Sequence, residues 1–68
     1  LNKESECFAE KVKTLMKQQN MSQAQIAKLI GIDNSTVCRY LGGSRIPNIS
    51  VLKKMADVLG TTIDSLIS

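Results

Sequence analysis

The chain has 68 residues, 43% hydrophobic but only 3% aromatic. That allows one small domain, near the lower limit for an independent core, and makes the core aliphatic. Nine Lys/Arg against six Asp/Glu leave a net charge of +3, a mild basic excess that permits nucleic-acid binding without requiring it. There is no histidine, and Cys7 and Cys38 match no zinc spacing, so neither a metal nor any other cofactor is expected.

Reduced thiols are expected for both cysteines. No apolar run approaches the ~20 residues of a membrane-spanning helix, and no secretory signal is visible. The chain opens on Leu1 rather than Met and stops inside an expected helix, which raises the expectation of a trimmed fragment. Charge is unevenly spread. Glu4, Glu6 and Glu10 gather near the start. From Lys11 to Ile49 only Asp33 is acidic, against Lys11, Lys13, Lys17, Lys28, Arg39 and Arg45. The middle of the chain is therefore far more basic than the total.

Strand periodicity is absent, as are internal repeats and linkers. Phe8, Val12, Leu15 and Met16 recur at helical spacing and predict a first helix over about Ser5 to Gln19. Its early Glu and late Lys residues complement the helix dipole, and Asn20 is its expected stop. Ser22-Gln23-Ala24-Gln25 has the pattern of a capping box and opens a second helix. Ile26, Leu29 and Ile30 are its expected apolar stripe, with small Ala27 where a neighbour approaches. Gly31 ends it in a left-handed turn, and Ile32 tucks inward.

Asp33 is the expected cap of a third helix, with Val37, Tyr40 and Leu41 inward and Gly42-Gly43 as its end. A loop, Ser44-Arg45-Ile46-Pro47, leads to Asn48, the cap of a fourth helix. Ile49, Leu52, Met55, Ala56 and Leu59 form its expected inward face, and Gly60 its stop. Thr62 caps a short fifth helix with Ile63, Leu66 and Ile67 inward. The expectation is an all-α, compact five-helix domain spanning residues 1–68.

Residues 23–41 read as two short helices joined by a tight turn, the layout of a helix-turn-helix. At about 100° per residue, Ser35 and Arg39 point away from Val37 and Leu41. Asn34 and Cys38 flank that outer face on one side and Thr36 on the other. Arginine forks to guanine O6 and N7, and asparagine pairs with adenine N6 and N7. Serine and threonine hydroxyls suit either bases or phosphates.

These residues resemble the helix-turn-helix of the lambda-repressor/Cro-like family, also called the XRE family. The resemblance is carried by Gln23, Ile26, Ala27, Ile30, Gly31, Ile32, Val37 and Tyr40. It continues through Arg45-Ile46-Pro47-Asn48, VLKKMADVLG and TTIDSLI, and covers about residues 8–67. It implies a lambda-repressor-like fold and sequence-specific binding of double-stranded DNA by a transcriptional regulator, as a repressor. Asn34, Ser35 and Arg39 would meet base edges, with Thr36 and Cys38 at the margin.

Gln23 would bind a phosphate and brace Asn34, in line with the free N–H groups at a helix start. Ser22, Lys28, Gly43, Ser44 and Arg45 complete the implied phosphate set, and Lys11 adds charge along the DNA. Lys53 and Lys54 read as ordinary solvated residues. One departure stands out. Many relatives carry Glu-Asn-Gly where this chain has Leu41-Gly42-Gly43, which alters how the third helix ends at the backbone.

The implied partner is a palindromic operator bound by a homodimer, in a bacterial or phage-encoded cytoplasmic protein. A protein-interaction module, such as the antitoxin of a toxin–antitoxin pair, is the competing reading. Catalysis is the weakest option, because no general base stands with Cys38 and no phosphate loop is present.

Overall fold

Helix α1 runs over Lys3–Gln18, starting two residues before the expected Ser5. The computed structural model describes residues 3–67, so the ends of the expected 1–68 domain lie outside the described residues. Glu4 and Glu6 occupy the first turn of α1 and Lys17 its last, each favourable to the helix dipole. Asn20 then adopts a positive φ of 55°. Its N–H donates to Lys17 O, and Met21 N–H donates to Met16 O at 2.9 Å. This pair of bonds stops the helix and satisfies its last carbonyls.

The remaining helices are α2 (Gln23–Ile30), α3 (Asn34–Leu41), α4 (Ile49–Leu59) and α5 (Ile63–Ile67). Among the described residues every regular element is a helix. Helix α2 packs on α3 and α4, while α1 packs on α3 and α5. Phe8 and Val12 of α1, Ile26 of α2, Val37 of α3, Met55 of α4 and Leu66 of α5 are all fully buried in one shared core. Burying an aliphatic side chain contributes about 1.5–3 kcal/mol, so these six positions tie the helices together. The expected five-helix all-α class is the observed one.

Three apolar positions depart from the expected stripes. Leu29 is 61% exposed, because the buried arc of α2 centres on Ile26, Ala27 and Ile30 and Leu29 falls to its side. Ile49 is 69% exposed; its angle suits the core, but it is the first residue of α4, and the buried side begins one turn later at Leu52. Ile67 is also exposed, since Leu66 is the residue α5 drives into the core.

Two side-chain hydrogen bonds clamp distant parts of the chain. Ser5 Oγ, fully buried, donates to Gly43 O at 2.7 Å. Gln19 Nε2 donates to Leu59 O at 2.6 Å. The first fixes the end of α3 to α1, and the second fixes the end of α4 to the end of α1. Buried polar atoms satisfied in this way add specificity of packing at little desolvation cost.

Candidate nucleic-acid interface

The turn that aims α3 is set by its residue types. Gly31 has φ 86°, a left-handed conformation that any β-carbon makes costly. Gly31 N–H and Ile32 N–H both donate to Ala27 O, at 2.8 and 3.0 Å, which folds the chain back within two residues. Ile32 is half-buried against the core, and α3 begins two residues later. Its buried residues, Val37, Tyr40 and Leu41, fix which face looks outward.

That outer face carries the residues expected to meet bases. Asn34, Ser35, Cys38 and Arg39 are exposed, and Thr36 is half-buried at the edge. The fold brings them onto one helix of two turns. Both cysteines are free and exposed. Asp33 takes the cap position, with extended backbone and its carbonyl accepting Val37 N–H at 3.1 Å. Its side chain, however, makes no capping hydrogen bond, which corrects the expectation of a side-chain cap. The first-turn N–H groups of α3 therefore remain open, a positive helix end beside the exposed face.

At the start of α2 the capping box is complete. Gln25 N–H donates to Ser22 Oγ at 3.2 Å, and Ser22 N–H donates to Gln25 Oε1 at 2.8 Å. Ile26 N–H donates to Ser22 O. The Gln23 and Ala24 N–H groups are left facing outward from the helix end, the usual geometry for an anion. Gln23 is half-buried there. The expected brace from Gln23 to Asn34 does not form, as no hydrogen bond joins the two side chains among the described residues.

Lys28, Ser44 and Arg45 are exposed, and Lys11 is half-buried on α1. Gly43 does not join this set. It is buried, its N–H donates to Tyr40 O, and its carbonyl accepts from Ser5 Oγ. Its φ of 80° and its packing against Glu6 make it the stop of α3. Its N–H is already bonded within the turn, which weighs against the phosphate contact expected there.

Arg45 stands over the Tyr40 ring, 6.0 Å from its centroid. Neither Ser5 nor Tyr40 was legible as a partner of this region. Ser5 read only as the start of a helix, and Tyr40 only as core. No local pattern announces contacts made across 38 residues or across a loop.

Five helices with a tight two-helix turn and an open polar face on the second of them define a DNA-binding helix-turn-helix domain. The sequence model described as Helix-turn-helix matches residues 12–66. The chain is 40% identical over 53 residues to the HTH-type transcriptional regulator AnsR of Bacillus subtilis (strain 168), covering 78% of this chain and 46% of that protein. It is 28% identical over 61 residues to the cryptic phage CTXphi transcriptional repressor RstR of Vibrio cholerae, covering 90% of this chain and 55% of that protein. The chain thus spans about half the length of the curated relatives it matches.

Among solved structures, the SOS-response transcriptional repressor LexA from Eubacterium rectale superposes with a TM-score of 0.93 at 25% identity, over 98% of this chain and 71% of that one. Hydroxypropylphosphonic acid epoxidase from S. wedmorenis superposes with a TM-score of 0.86 at 31% identity, over 100% of this chain but 36% of that one. The chain belongs to the helix-turn-helix family of lambda-repressor/Cro (XRE) type, a family of DNA-binding transcriptional regulators. No helix among the described residues is long and apolar enough to cross a membrane.

Proposed function

We propose that this chain is the DNA-reading part of a transcriptional repressor, with α3 lying in the major groove of a specific duplex site. The observation that carries the reading is the division of α3: Val37, Tyr40 and Leu41 buried, with Ser35 and Arg39 exposed on the opposite side and Asn34 exposed at its flank. Arg39 pairs with guanine and Asn34 with adenine, while Ser35 bonds either a base edge or a phosphate. Thr36 and Cys38 lie at the groove edge. Ser22, Gln23, Lys28, Ser44 and Arg45 hold phosphates and set the register. Lys11 adds charge along the backbone.

A module this small covers one half-site, so two copies bind a palindromic operator with half-sites roughly 34 Å apart. The protein works in the cytoplasm of a bacterium and is bacterial or phage-encoded, in keeping with the sources of its relatives. Fold by itself does not carry the proposal, because the same fold forms about a third of an epoxidase chain. The polar outer face of α3 does.

The test is selection from a randomised duplex library. Enrichment of one defined site supports the proposal. Salt-sensitive binding without sequence preference refutes it and moves the search to a protein partner.

A further inference from the structure

Tyr40 has two neighbourhoods. Only 6% of it is exposed, and it belongs to the shared core. Yet the guanidinium of exposed Arg45 lies over its ring. Among the described residues an ion pair joins Lys13 to Glu10, and no carboxylate of the described residues pairs with Arg45. The ring is the group that lies beneath this charge, 6.0 Å away. Ile46, Pro47 and Asn48 line the same shallow cavity as Tyr40 and Arg45. Buried Pro47 fixes its own φ, so the loop is anchored two residues beyond the arginine.

A cation over an aromatic face is attracted by the ring quadrupole and spends none of its N–H donors. Those donors remain available to an anion. Holding a long side chain in place beforehand also lowers the ordering cost of binding. A leucine at position 40 would fill much of the same core volume but offer no quadrupole.

We infer that Tyr40 is a positioning residue for DNA binding: its buried ring holds Arg45 at the loop between α3 and α4 for contact with a backbone phosphate. This rests on the DNA-reading function proposed above. It gives Tyr40 a role that core packing alone does not.

The experiment is a double-mutant cycle on the selected duplex, titrated across salt, with Tyr40→Phe as the conservative variant. Arg45→Ala is expected to weaken binding roughly tenfold and to lower the salt slope by about one. Tyr40→Phe keeps the ring and stays within about twofold of wild type. Tyr40→Leu weakens binding roughly threefold when Arg45 is present and has no further effect in the Arg45→Ala background. Equal weakening in both backgrounds would reduce Tyr40 to a core residue and overturn the inference. Wild-type affinity and slope in Arg45→Ala would overturn it too.

A second measurement stands without DNA and without Tyr40→Leu folding. NMR of the free protein should show the Arg45 δ protons shifted upfield by the ring in wild type and in Tyr40→Phe. Ordinary shifts in wild type would sink the stacking, and the inference with it. Failure of wild type to select any site would instead count against the DNA-reading proposal, so the two failures are distinguishable.

Discussion

Helices α3 and α4 are built to the same plan and finished differently. Each buries an apolar side in the core, and each ends at glycine: α4 directly at Gly60 with positive φ, and α3 through Gly42 to Gly43, whose φ is positive. At its start, α4 is closed by Asn48, whose Oδ1 accepts Val51 N–H at 3.0 Å. The start of α3 is left open, because Asp33 makes no such bond. The outer side of α4 carries Lys53, Lys54 and Asp57, all exposed charges. The outer side of α3 carries Asn34, Ser35 and Arg39, whose donors and acceptors match base edges. A helix that only supports the fold satisfies its end internally. The start of α3 instead leaves its first N–H groups to water or a ligand.

This contrast can be broken first through the core. Met55→Ala empties a fully buried position on α4, and such truncations cost about 2–5 kcal/mol. In a domain of this size that is most of the stability, so urea denaturation should show a large fall in the unfolding midpoint. DNA binding should then fail only because the fold fails.

Arg39→Ala should do the reverse. Arg39 is exposed and outside the core, so the melting temperature should hold. Affinity for the selected duplex should fall by about 1–3 kcal/mol, with preference relaxed at one base pair. A uniform loss across all sequences would make Arg39 a phosphate contact and blur the contrast between the two helices.

The two starts provide a finer test. Asn48→Ala removes a formed cap and should cost about 1 kcal/mol, or about 4–8 °C in melting temperature for a domain of this size. Asp33→Ala removes no cap hydrogen bond and should cost about 0.5 kcal/mol or less. Equal losses in thermal melts would mean that the two caps are equivalent in solution. The smallest effect belongs to Lys53→Ala and Lys54→Ala, each expected within about 0.5 kcal/mol in stability. Duplex affinity should be unchanged by either. A clear loss of affinity would extend the DNA surface onto α4.

Much of the fold was legible because its signals are local. Ser22 with Gln25, Gly31, Asn48 and Gly60 mark helix ends through bonds made within a few residues. The exposed set on α3 was legible for a similar reason, since Val37, Tyr40 and Leu41 name the buried side and the helical repeat names the opposite one. Periodicity could not tell how far each partner helix reaches. Leu29, Ile49 and Ile67 are apolar beside or near the core-facing positions of their helices, yet exposed in the assembled fold.

Local chemistry thus specified five helices, their stops and the polar composition of the exposed face of α3, because capping, turn conformation and amphipathic spacing act over one or two helical turns. Contacts between distant segments required the assembled fold. Only there does Ser5 meet Gly43 across 38 positions, using up the backbone of a glycine that resembled a phosphate contact. Only there does Arg45 come to rest on Tyr40, because the position of a loop side chain depends on which helices pack beneath it.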